Sequence, residues 1–180
     1  MPILLDIETL HQRHRALTSE IAGSFRQAAE VCFSRYHESP VDIQLCDNGQ
    51  STSALLHWRI PDQRIRDAWA NADVATENAA YGCVISGVER TRSLFAVRRA
   101  ETGTGADYYI GPLGSGVDDL KGCFRLEVSG VGDGSAQDVA RRLAQKVTQA
   151  RNGSSSLPAL AGVAGFSAKI IAIQDVLEDK

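Results

Sequence analysis

Three strand-like segments in succession, separated only by glycine-bearing loops and flanked on both sides by helical periodicity, restrict this chain to few architectures. Ser93–Arg99 (SLFAVRR), Ala106–Gly111 (ADYYIG) and Cys123–Val128 (CFRLEV) carry the β-branched and aromatic residues that suit strands. Gly103-Thr104-Gly105 separates the first two, and a glycine-rich loop separates the second from the third. Before them, an apolar stripe that includes Ile65, Ala68, Ala72, Ala79, Cys83 and Val88 predicts a helix from Pro61-Asp62 to about Arg92. Its side chains from Ala75 to Gly87 are mostly small, which lets a helix lie close to a sheet. After them, Ser135–Arg151 reads as a helix with Ser135 and Asp138 at capping spacing and Asn152-Gly153 as a left-handed stop. A last apolar segment, Ala161–Val176, has its strongest strand at Ala168–Ile173. The resulting αβββαβ order predicts an α/β fold with helices packed on a mixed sheet.

The first third precedes that core. Leu10, Leu17, Ile21, Phe25, Ala28 and Val31 recur at helical spacing, predicting one long helix over residues 6–36 that ends at Ser39-Pro40. Val41–Cys46 and Ala54–Ile60 then read as a hairpin around Asp47-Asn48-Gly49. The chain therefore divides into residues 1–61, a helix and hairpin, and residues 62–180, the core, within one compact domain of 180 residues.

Composition excludes several classes. Hydrophobic residues make up 43% and charged residues 23%, ordinary for a folded chain, and no apolar run approaches the ~20 residues needed to span a bilayer. Met1–Leu5 lacks a basic flank and runs into Asp6 and Glu8, unlike a signal peptide, so a cytoplasmic protein without a membrane partner is expected. Cys32, Cys46, Cys83 and Cys123 form no CxxC or CxxH pair, so they read as reduced packing residues and not as zinc ligands. His11, His14, His37 and His57 serve no recognisable nucleophile motif, and the glycines around Thr104 lack the phosphate-loop lysine.

Two acids stand out by position. Asp107 opens a strand beside Tyr108 and Tyr109, and Glu127 lies inside the next one. A carboxylate within an apolar strand is costly to bury unless it is paired or holds a cation. Either Glu127 faces solvent or pairs with Arg98, Arg99 or Arg125, or the two carboxylates share a divalent ion across neighbouring strands. The net charge of −3 argues against binding nucleic acid through bulk charge. Residues 88–151 nevertheless hold ten basic against eight acidic side chains.

Asp107 on one strand, Glu127-Val128-Ser129 on the next, and the αβββαβ order resemble the PD-(D/E)XK, or restriction-endonuclease-like, nuclease superfamily over about residues 62–176. The resemblance implies that Asp107 and Glu127 hold Mg²⁺ or Mn²⁺, with Glu77 on the preceding helix as an additional acid. The ion would activate a water and stabilise charge on a scissile phosphate in DNA, less readily RNA. Where the motif has lysine this chain has Ser129. Some members of the superfamily place a lysine or glutamine on the following helix, where Gln145, Lys146 and Gln149 are available, and Lys146 leans inward. By the same resemblance Ser129 and Lys146 join the catalytic set, and Arg98, Arg99, Arg141 and Arg142 are candidate phosphate contacts. The missing strand lysine keeps open an alternative: a catalytically silent binding or assembly module, partnered with nucleic acid, a motor ATPase or a defence subunit. A homodimer is a further expectation from the superfamily.

Overall fold

Capping chemistry sets most helix starts in the computed structural model, which describes residues 2–116 and 119–177; Met1, Val117, Asp118 and residues 178–180 lie outside the described residues. Thr18, Asp62, Asn71 and Ser135 each accept a hydrogen bond from the first turn of the helix that follows. Those helices are α1 (Ser19–Ser34), α2 (Gln63–Ala68), α3 (Ala72–Arg92) and α4 (Ala136–Arg151). The cap of α4 is a reciprocal capping box between Ser135 and Asp138, as the sequence predicts.

The strands are β1 (Ile3–Leu5), β2 (Val41–Asp47), β3 (Gln50–Leu56), β4 (Phe95–Arg99), β5 (Tyr108–Gly111), β6 (Phe124–Val131), β7 (Ala159–Gly165) and β8 (Ile170–Val176). They form one mixed sheet in the order β1-β3-β2-β8-β7-β6-β5-β4. The fold is therefore α/β, and α3-β4-β5-β6-α4-β7 follows the predicted αβββαβ order. The N-terminal hairpin continues the same sheet, because β2 pairs in parallel with β8.

Each face of the sheet has its own core. Leu126, Val128, Leu160, Ala164 and Ile171 join α3 and α1 in the larger one. The smaller, under α4, is built on Val139, Val163 and Ala172. Close approach of α3 to the sheet depends on glycine, since a Cβ on Gly162 would collide with Val84 and one on Gly130 would meet Thr76 at 2.7 Å. Gly162→Ala is accordingly expected to cost about 1–3 kcal/mol in chemical denaturation. Gly23→Ala, where a Cβ meets nothing within 4 Å on α1, should add up to about 1 kcal/mol.

Several boundaries differ from the sequence reading. The predicted helix over residues 6–36 is a 3₁₀ turn at Leu10–Gln12 followed by α1. Between them His14, fully buried, accepts from the Ala96 amide at Nδ1 (2.9 Å) and meets Glu89 through Nε2 at 2.8 Å. That anchoring of the segment to β4 and α3 overrides its helical periodicity. The second helix breaks at Trp69–Asn71, where Asn71 caps α3. Asn48 and Gly49, both at positive φ, make a two-residue turn that starts β3 at Gln50, not at Ala54. Ala161–Val176 contains not one strand but the β7–β8 hairpin. The end of α4 is not left-handed, because Asn152 has φ −80°. All four cysteines are free, and burial pushes the Cys32 thiol up to about 11.

Candidate active site

The site forms where the sheet opens. β5 pairs with β6 over Phe124–Leu126, and the next bond runs from the Asp107 amide to the Leu126 carbonyl at 2.8 Å. Beyond it β6 continues to Val131 with β7 on its other side, so the Val128 amide extends past the end of β5. Asp107 supplies the acceptor through Oδ2 at 2.7 Å. The aspartate that opens β5 therefore closes the ladder with its side chain and presents its other oxygen to the gap.

Groups from both faces of the sheet reach that gap. From α3, the Tyr81 hydroxyl donates to Asp107 Oδ1 at 3.1 Å and lies 3.3 Å from Glu77 Oε1. A phenol has one proton to give, and Asp107 is the nearer acceptor. Burial and the Asp107 charge push the Tyr81 phenol well above its usual range, so it remains a donor. From α4, Lys146 Nζ donates to Glu127 Oε1 at 2.7 Å and to Gln149 Oε1 at 3.0 Å. Glu127 is only 4% exposed. Burial raises its pKa first and the Asp107 charge adds to that, while Lys146 acts in the opposite direction.

These residues line an open cleft of about 580 Å³, walled by the β4–β5 loop and the end of α4. Its charged lining is four acids (Glu77, Glu101, Asp107, Glu127) and two bases (Arg99, Lys146). The walls are tied together by Arg125, 4% exposed, which donates to the carbonyls of Thr104 (2.9 Å), Ala150 (2.8 Å) and Leu157 (3.0 Å). A Cβ on Gly153 would strike the Thr104 carbonyl, so the two loops touch through glycine.

The predicted residues are distributed unevenly around this cleft. Asp107, Glu127, Lys146, Glu77 and Arg99 line it, and Glu127 pairs with Lys146 and not with an arginine. Ser129 sits two residues along β6, in register with Val163 and outside the lining. Arg98 is engaged by Glu101 and stands 5.4 Å over the Tyr109 ring. Arg141 pairs with Asp138 at 3.1 Å, and Arg142 is exposed one turn before Lys146, neither reaching the cleft. Among the described residues no three His, Cys, Asp or Glu side chains converge on one ion position, and the Tyr81 hydroxyl stands between Glu77 and Asp107.

Tyr81 and Arg125 were not singled out in the sequence as site residues. Tyr81 follows Glu77 by four residues on one helix, and Arg125 precedes Glu127 by two on one strand, so spacing alone places each beside an acid. No protein-family model matches the chain, and no curated protein or solved structure matches it significantly. Among the described residues no helix is long and apolar enough to cross a membrane.

Proposed function

We propose that this chain is a metal-dependent nuclease of the PD-(D/E)XK kind, acting in the cytoplasm on phosphodiester bonds of nucleic acid, with DNA as the first substrate to test. The convergence of Asp107, Glu127 and Lys146 from three elements on one open cleft carries the proposal. Two carboxylates fit Mg²⁺ or Mn²⁺, because Mg²⁺ is commonly held by one or two carboxylates completed by waters and substrate phosphates. The cleft's excess of acid and the raised pKa of Glu127 both favour a cation. When bound, the ion would supply an activated water and stabilise charge on the phosphate.

The chain's own residues divide the remaining work. Asp107 is held rigid by the Val128 amide and the Tyr81 hydroxyl, so Oδ1 faces the cleft in a fixed orientation. Lys146 uses two of its three N–H donors on Glu127 and Gln149. The third can orient a water, the task of the motif lysine that Ser129 replaces. The direct test is Mg²⁺- or Mn²⁺-dependent cleavage of plasmid DNA and of RNA by the purified protein. A non-catalytic binding module is the second reading, favoured by Ser129 and by Lys146 already paired with Glu127. Metal binding without cleavage of either substrate would select it.

Proton linkage gives an independent check. A raised folded-state pKa at Glu127 means that its stability contribution is full below the ordinary glutamate value. That contribution is lost as pH rises through the raised value. A bound cation favours the ionised carboxylate, so metal affinity is expected to rise with pH across that window and binding to release a proton. Calorimetry in buffers of different ionisation enthalpy reads that proton, and Glu127→Gln should abolish the buffer dependence.

A further inference from the structure

We propose that Arg99 is the phosphate anchor of this cleft, held for that task by the rings of Tyr81 and Tyr108. The inference rests on the nuclease reading for the identity of its ligand, a phosphate of a nucleic-acid backbone. Arg99 Cζ stands 4.6 Å from the Tyr81 ring centroid and 4.8 Å from that of Tyr108. Nη2 donates to the Tyr81 hydroxyl at 3.1 Å. The nearest carboxylate oxygen, Asp107 Oδ1, lies at 3.9 Å, beyond hydrogen-bond distance, and the side chain is 51% exposed.

Other arginines of the fold are used differently. Arg92 bridges Asp47 and Asp175, Arg13 bridges Asp6 and Glu89, and Arg125 donates to three carbonyls. Their guanidinium groups are engaged in holding the fold. At Arg99 the aromatic faces hold the cation and the hydroxyls of Tyr81 and Tyr108 take part of its five N–H donors. A planar fork held this way, ion-paired with Asp107 only at the long distance of 3.9 Å, suits two oxygens of one phosphate. Arg99 and Tyr108 also border a second groove of about 440 Å³, lined by Ala16, Ile21, Ser24, Phe25 and Asn78 with one acid, Glu20, so a phosphate seated at Arg99 has space on both sides. Because acids outnumber bases in the cleft, the anion is expected to bind together with a divalent cation.

The test is titration of the full chain with thymidine 3′,5′-bisphosphate in Ca²⁺, following the Arg99 Nε–Hε resonance and calorimetric affinity. The parent should bind and shift that resonance. Arg99→Lys should weaken binding about tenfold or more, the equivalent of one charge-assisted hydrogen bond. Tyr81→Leu should weaken it comparably by releasing the guanidinium, and Arg64→Lys, at an exposed position on α2 outside the cleft lining, should leave it unchanged. A parent that does not bind at millimolar ligand, or an Arg99→Lys protein that binds like the parent, overturns the anchor even if Asp107-dependent cleavage is found. Arg99-dependent binding without cleavage would instead sustain the anchor and remove the nuclease reading.

Discussion

Asp107→Asn and Glu127→Gln are each expected to lower metal-dependent cleavage by about three orders of magnitude or more, while leaving the protein folded. The size follows from the chemistry proposed. Each change removes one of two charges that hold the cation, and with it the activated water and the stabilisation of the phosphate. Survival of the fold follows from local geometry. An amide oxygen at position 107 still accepts from the Val128 amide, and one at position 127 still accepts from Lys146. Glutamine also removes the cost of a buried charge that Lys146 and the surroundings leave with a raised pKa. Initial rates on DNA, with melting curves for each variant, read both halves of the expectation. Metal-dependent cleavage that persists in both variants would move the active site elsewhere.

Arg125→Met should produce the largest loss of stability, about 3 kcal/mol or more, seen as a fall in Tm of about 10 °C. Its guanidinium satisfies three backbone carbonyls from three separate segments at 4% exposure. Methionine fills similar volume but donates nothing, so the Thr104 and Leu157 carbonyls lose this donor and the Ala150 carbonyl is left with backbone amides alone, that of Gly153 at 3.2 Å among them. The effect should extend to the cleft, because Thr104 lies in one wall and Ala150 ends the helix that carries Lys146. Metal affinity should therefore fall together with stability. A variant with lowered Tm and parental metal affinity would show that the walls are held by their glycine contact alone.

Much of this architecture was legible in the residues. The αβββαβ order, the small-residue face of α3 and the capping box of α4 are local patterns, and period and cap chemistry report them directly. Asp107 and Glu127 stood out because a carboxylate in an apolar strand demands a partner. The departures from local pattern arise from long-range contacts. Residues 6–17 have helical spacing, yet His14 binds β4 and α3, and that burial outweighs a weak propensity. β7 and β8 merged into one apolar segment because buried strands lack alternation, and the turn between them has no proline or asparagine-glycine pair to mark it.

By itself, the sequence determined the class of fold, the capped start of α4 and the two acids that most need a counter-charge, since each depends on residues a few positions apart. Only the tertiary structure decided that Lys146, nineteen residues beyond Glu127, is the cation facing it, that Ser129 stands outside the cleft, and that Tyr81 separates Glu77 from Asp107. The physical reason is the same in each case. Which side chains meet at the open end of β5 and β6 depends on how two helices on opposite faces dock against one sheet, and no spacing along the chain records that.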